Sequence, residues 1–253
     1  MKPLRKLLVF EISGYMAHFR KFYSNSSSLT YSFPPRTVIT GILAGILGRE
    51  RDSYYEEFST DKCGVGVSIA SPIRKISQTV NFIRTKSKAE LNGSGGPTQI
   101  PIEILLGEKN KVRYRVYFTH SNEALVGELA ERIKHNRYIY PPYMGITEFT
   151  AELDLIGLLG HDEIEKTQPG GKVYLDTVIN INLLEDRGIV SGAGRLKILK
   201  EKMTVEFSSG RDIAGISSYV FEQDGKRLPV RLQTPYYSLK VEEETKNIVF
   251  MTN

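Results

Sequence analysis

Apolar and polar positions fall into blocks along this chain. LRKLLVFEIS (4–13) is a short apolar run between polar residues, the pattern of a buried strand. From Arg36 to Leu47 the period changes. Val38, Ile39, Ile42, Leu43, Ile46 and Leu47 recur at helical spacing, and Gly48 follows as a C-cap. Gly41 and Gly45 lie four apart and, with Thr37, Ala44 and Gly48, give this helix a small face open to close approach by another backbone. Packing on a sheet is the commoner use of such a face. Residues 63–88 are strand-like and rich in β-branched side chains, with a break at Pro72, and LNGSGGP (91–97) reads as a loop tip. TQIPIEILLG and KVRYRVYFTH are further strands. In the second, Val112, Tyr114, Val116 and Phe118 alternate with Arg113, Arg115 and Tyr117. A helix is expected over 121–135, with Ser121 or Asn122 as N-cap and Leu125, Leu129 and Ile133 along one side. Strand pattern returns over 137–158, interrupted by a Pro-Pro turn.

The order to this point is β-α-β-β-α-β. Beyond about Gly160, VYLDTVININ, RLKILKEKMTVEF and KNIVFM read as strands separated by Gly- and Asp-containing turns. The expected class is α+β: a ferredoxin-like (RRM-like) N-terminal domain over 1–158 and a β-rich C-terminal lobe over 159–253.

The 253 residues suffice for a sizeable core. A single cysteine, Cys63, leaves no internal disulfide framework and no cysteine zinc site, and reads as a buried structural thiol. No apolar run reaches the length of a bilayer span, and the apolar start lacks a small-residue cleavage site, so the expected location is the cytoplasm, away from membranes.

Charge changes the picture more than composition does. The net +5 is uneven: residues 1–120 carry +9, residues 121–180 carry −5, and the remainder +1. No Asp or Glu occurs between Glu11 and Glu50, and within that gap Tyr15, Phe19, Phe22, Tyr23, Tyr31 and Phe33 are interleaved with His18, Arg20, Lys21 and Arg36. IRKISQTVNFIRTKSK (73–88) adds Arg74, Lys75, Arg84, Lys86 and Lys88, again without an acid. Cations that track phosphates, with aromatics that stack on splayed bases, are what single-stranded RNA requires. The same aromatics can equally pin a loop to the core, and spacing leaves both uses open.

Motifs for chemistry are sparse. None of the four histidines pairs with another ligand at metal spacing, and there is no nucleophile elbow, zincin or P-loop signature. GAGRL (192–196) holds a lone G-x-G, which a turn explains as well as a phosphate contact does. Lys134 and His135, with Tyr138 and Tyr140 close by, have the residue types for metal-free RNA cleavage, but Lys and His also suit a helix C-terminus. No cofactor, metal or catalytic residue is expected.

Four separated segments, GYMAHFRKFYSNSSSLTYSFPPRTVITGILAGILG (14–48), IRKISQTVNFIRTK, PTQIPIEILL and PYMGITEFTAEL (142–153), resemble the CRISPR-associated Cas-five family, most closely its type I-B members. The resemblance covers roughly residues 5–155. It implies a non-catalytic subunit of the Cascade surveillance complex in antiviral defence, capping the 5′ handle of the crRNA. Its neighbours would be the backbone-filament subunit (Cas-seven) and the large subunit (Cas-eight). A separate Cas-six-type endonuclease would process the RNA, and target DNA would be met only through the complex. Family members carry a thumb-like hairpin, expected here around 84–98. The type I-C members that cleave RNA resemble a Tyr/Lys/His site. This chain departs from it, with Leu47 in the helix and His120-Ser121-Asn122 before the second helix. The RNA contacts expected on both grounds are His18, Arg20, Lys21, Tyr23, Ser26, Arg36, Arg74, Lys75, Arg84, Lys86 and Gln99. The alternative remains a metal-independent endoribonuclease.

Overall fold

The structure is a computed structural model that describes residues 4–24, 28–107, 110–190 and 195–252. Strand β1 (Lys6–Gly14) is buried on both faces, and that burial organises the molecule. After it come a two-residue ladder of β2 (Phe19–Arg20) and β3 (Thr30–Tyr31), helix α1 (Arg36–Ile46) and strand β4 (Cys63–Ile69). A long hairpin of β5 (Ile73–Ile83) and β6 (Pro97–Gly107) follows, then β7 (Val112–His120), α2 (Glu123–Lys134) and β8 (Glu152–Gly160). Strands β4, β7, β1 and β8 form one sheet in that order, each pair antiparallel.

Alternation assigns the two faces of this sheet. Leu8, Phe10 and Ile12 of β1, with Val112, Tyr114, Val116 and Phe118 of β7, join the cluster that contains the apolar sides of α1 and α2. Leu7 and Val9, with Tyr117, turn to the opposite face. Asn122 caps α2 as its sequence suggests, its Oδ1 accepting from the backbone N–H of Ala124 at 3.1 Å and of Leu125 at 3.4 Å. Gly48 closes α1 with φ +74°, a left-handed turn that favours glycine. The small face of α1 meets a backbone: residues 139 and 140 donate to the carbonyls of Ile46 and Gly45.

The chain after β8 supplies short strands: β9 (Ile164–Thr167), β10 (Val173–Leu175), β11 (Ile179–Asn180) and β12 (Leu184–Ile189). Two hairpins and a single strand complete it: β13 (Ile198–Phe207) with β14 (Ile213–Glu222), β15 (Leu228–Leu232), and β16 (Tyr236–Val241) with β17 (Glu244–Ile248). They form three three-stranded sheets, β10-β15-β12, β11-β14-β13 and β17-β16-β9. Tyr237, Leu239, Ile248 and Phe250 cover Leu7 and Val9, while Met203, Val205, Tyr219 and Phe221 enter the helix-side cluster. The C-terminal strands thus cover both faces of the N-terminal sheet.

One sequence expectation changes. Residues 137–151 are not strand but an irregular, bridged segment, and strand begins only at Glu152. Tyr143 and Thr150 form an isolated bridge, and Ala151 donates to the carbonyl of Pro142. Two consecutive prolines cannot donate to a ladder, so the pairing starts after them.

The approach of the C-terminus to β4 depends on glycine. A Cβ on Gly64 would stand 3.0 Å from both the Phe250 ring and Thr119 Cγ2. Gly64→Val is expected to destabilise the protein by about 1–3 kcal/mol through overpacking, measured as a lower urea midpoint with an unchanged slope.

Candidate nucleic-acid interface

The acid-free loop is stapled to the β5–β6 hairpin. Ala17 pairs with Leu105, and the Ser28 backbone bonds to Pro101 and Glu103. His18 lies inside this staple. Its Nδ1 donates to the Glu103 carbonyl at 2.7 Å, and its Nε2 accepts from Ser28 Oγ at 2.8 Å. Burial is the main cause that lowers its pKa, so the ring is neutral there. His18 is therefore a buried structural residue and not an RNA contact as its sequence setting suggests.

Arg36 requires the same correction. It is 1% exposed, the largest of the fully buried side chains. Its guanidinium donates to the carbonyls of Phe58 (2.7 Å), Cys63 (3.2 Å) and Val205 (3.4 Å), and to Cys63 Sγ at 2.9 Å. The charge ties α1 to β4 and β13 and is out of reach of a phosphate. Burial pushes the Cys63 thiol up to about 11, with Arg36 partly opposing the shift. Ser26 lies outside the described residues, as do Gly192 and Gly194 of the G-x-G.

The loop that lacks acids in sequence receives them in space. Glu201 of β13, 8% exposed on its side chain, reaches across to the loop. Its carboxylate accepts from the Ser32 backbone N–H at 2.9 Å and from Ser32 Oγ at 3.0 Å. Lys21 Nζ lies 3.5 Å and Lys75 Nζ 3.3 Å from Glu201 Oε1. Lys75 also donates to the Thr30 carbonyl at 2.7 Å. Two cations thus share one carboxylate at the junction of loop, hairpin and C-terminal strand. Glu103 Oε2 accepts from the Thr30 N–H at 3.0 Å.

Solvent-facing groups surround this junction. Tyr23 is 51% exposed, its ring 5.9 Å from Lys21 Nζ and edge-on to Phe22 at 5.2 Å. Arg20 is exposed, donating to the Ser24 carbonyl at 3.3 Å. Among the loop's other aromatics, Phe19, Tyr31 and Phe33 are core, while Tyr15 and Phe22 are exposed.

The hairpin separates the remaining candidates. Cross-strand partners place Lys75, Ser77, Thr79, Asn81, Gln99 and Glu103 on one face. Arg74, Ile76, Gln78, Val80 and Phe82 lie on the other, with Ile100, Ile102 and Ile104. Arg74 is exposed and makes no ion pair among the described residues. Gln99, opposite Asn81, lies about 20 Å along the hairpin from Lys75, and Arg84 and Lys86 lie at the tip, about 30 Å or more away at ~3.3 Å per residue. There Arg84 pairs with Glu90 at 3.6 Å, and Glu90 also accepts from the Lys86 backbone N–H at 2.8 Å. The candidates thus form a junction group (Arg20, Lys21, Tyr23 and Lys75) and a tip group, with Arg74 at the hairpin base.

His135 and Tyr138 have local partners. His135 Nδ1 donates to the Glu131 carbonyl at 2.9 Å, and Tyr138 Oη donates to Asn136 Oδ1 at 2.8 Å. Among the described residues no group of three or more His, Cys, Asp or Glu side chains is placed to hold a metal ion.

Residues 7–136, half of the chain, match the family model described as CRISPR-associated protein (Cas_Cas5). The chain belongs to this family. Three solved structures share its fold. A crystal structure of a CRISPR protein from Archaeoglobus fulgidus is 12% identical, with a TM-score of 0.52 over 98% of this chain and 100% of that one. A chain of a CRISPR RNA-guided surveillance complex is 14% identical, with a TM-score of 0.50 over 88% of this chain and 91% of that one. A chain of the Type III-B Cmr-beta complex bound to cognate target RNA and AMPPnP is 10% identical, with a TM-score of 0.51 over 88% and 86%. No curated protein matches the sequence.

Several residues of this Cas5 chain that shape the surface escape a reading of the sequence. Glu201 is far from the loop in sequence, and only the pairing of β13 brings it there. Ser77, Thr79 and Asn81 were legible in principle, because polar residues at every second position of a strand define a solvent face.

The Cys63 thiol carries a pH prediction. A thiol ionises near 8.5 when unfolded but only near 11 in the fold, so the folded state holds the extra proton and stability falls as pH rises through that window. Urea unfolding of wild type against Cys63→Ala is expected to show an extra loss in wild type of about 2 kcal/mol between pH 7 and pH 10.

Proposed function

We propose that the chain is a non-catalytic, crRNA-binding subunit of a cytoplasmic CRISPR effector complex in antiviral defence, holding the 5′ handle of the crRNA. The observation that carries the reading is the junction where Lys21, Tyr23 and Lys75 converge, two cations and an exposed ring beside one shared carboxylate, with the exposed Arg20 next to Lys21 in the loop. Family membership supplies the biological setting. Strand order β4-β7-β1-β8, with α1 and α2 as the connections, supports the ferredoxin-like reading of the N-terminal domain expected over 1–158.

In this reading a single strand runs over the loop, with phosphates on Arg20, Lys21 and Lys75 and a base on Tyr23. The polar hairpin face offers Ser77, Thr79, Asn81 and Gln99 to 2′-hydroxyls and base edges on the way to Arg84 and Lys86. The hairpin acts as the thumb, and the backbone-filament (Cas-seven) and large (Cas-eight) subunits of a type I-B-like complex are its neighbours. A Cas-six-type endonuclease supplies the processed RNA. The local partners of His135 and Tyr138 give the endoribonuclease reading no support.

RNA binding measured against salt tests the proposal. Each phosphate contact contributes about 0.7 to the log–log slope for a single strand. The pair Arg20→Glu and Lys75→Gln is expected to weaken binding of repeat-derived RNA at least about tenfold and to lower the slope by about 1.4. Unchanged affinity and slope would remove the proposal. Incubation with repeat RNA in EDTA is expected to leave the RNA intact; site-specific cutting lost in His135→Ala would replace it with the enzyme reading.

A further inference from the structure

We infer that Glu201 is a positioning residue of the RNA interface: through Lys21 it sets the Tyr23 ring in place to receive a nucleobase. The inference rests on the RNA-binding reading above and assigns a role to a residue outside the loop. Its basis is a continuous chain of contacts. Glu201 is anchored first, by two hydrogen bonds from Ser32 at 2.9 and 3.0 Å, so its carboxylate is fixed before any lysine is considered. Lys21 Nζ then lies 3.5 Å from Oε1, and that same ammonium sits 5.5 Å from the Tyr31 ring centroid and 5.9 Å from that of Tyr23.

The two rings differ in a way that gives the arrangement direction. Tyr31 is buried, and its Oη donates to the Lys202 carbonyl at 2.9 Å, so it is fixed to the strand that bears Glu201. Tyr23 is half exposed. Lys21 therefore bridges a fixed ring and a free one, and a cation–π contact falls within the usual ~6 Å reach. Phe22 meets the Tyr23 ring edge-on, which leaves ring surface open to solvent. An aromatic held in this way loses little side-chain entropy when a base stacks on it. Lys75, on the same oxygen, is tied to the Thr30 carbonyl instead, so the Tyr23 connection runs through Lys21.

The charge balance separates this role from simple phosphate attraction. Removing the carboxylate frees two cations, so an interface that used Glu201 only as a counter-charge would bind RNA more tightly without it. A positioning role predicts instead a loss confined to the base-dependent part of binding.

The test compares a labelled oligouridine with the matched abasic oligomer, for full-length wild type, Tyr23→Ala, Glu201→Gln, Glu201→Asp and Lys21→Met, with thermal unfolding run alongside. Stacking on one aromatic contributes about 1–3 kcal/mol, a factor of about 5 to 150. Wild type is expected to prefer the base-bearing oligomer by at least about fivefold, and Tyr23→Ala to lose that preference. Glu201→Gln is expected to lose most of it while its salt slope rises by about 0.7, and Glu201→Asp to restore part of it. Wild-type preference retained in Glu201→Gln overturns the inference while leaving RNA binding intact. Absence of RNA binding in wild type, or a preference that Tyr23→Ala leaves untouched, overturns the interface reading beneath it. If Glu201→Gln does not fold, Lys21→Met decides: its loss of preference supports the chain of contacts, and its retention breaks it.

Discussion

A central strand buried on both faces is the constraint from which the rest of this structure follows. β1 presents Leu8, Phe10 and Ile12 to one side and Leu7 and Val9 to the other. Two helices can cover one side of a four-stranded sheet, but the second side needs a separate cover. The C-terminal strands supply it through Tyr237, Leu239, Ile248 and Phe250. They also reach around to the helix side, where Phe33 meets Tyr219 and Phe221 edge-on. With the sheet enclosed, polar function is left to what projects from it: the acid-free loop and the long hairpin.

The projections are held by buried charge. Among the described residues Arg36 has no carboxylate partner; carbonyls and a thiol accept from its two terminal nitrogens, while Nε is buried without a hydrogen bond. Glu201 is satisfied by a backbone N–H, a hydroxyl and two ammonium groups. Each is costly to bury alone, and each is surrounded by the partners that make its burial tolerable. Both link segments separated by well over a hundred residues. The surface of the loop is therefore specified by the C-terminal third as much as by the loop itself.

Local patterns in the sequence carried the regular elements. The helical period of 36–47, the alternation in 111–120 and the Asn122 cap act over a few residues, and each element lies where its pattern puts it. The residues that failed were those whose role depends on distant partners. Arg36 resembled a phosphate ligand at a helix start because nothing nearby in sequence announces the carbonyls that enclose it. His18 resembled an exposed cation for the same reason. The absence of acids between Glu11 and Glu50 was real, but its meaning was divided, since Glu103 and Glu201 supply part of the missing charge. For 137–151 the aromatic and β-branched composition suggested a strand, and the proline pair overrode it.

The position of Glu201 also has a consequence in time. A ribosome delivers residues 14–36 early and residue 201 late. At about 5–20 residues per second, Lys21 waits on the order of 10–40 s and Lys75 about 6–25 s for their carboxylate. Throughout that interval the newborn segment is a run of cations and unsheltered aromatics beside the polyanionic RNA of the translation machinery. The loop becomes an ordered surface only once Glu201 has emerged, so its chemistry is completed by a strand made long after it.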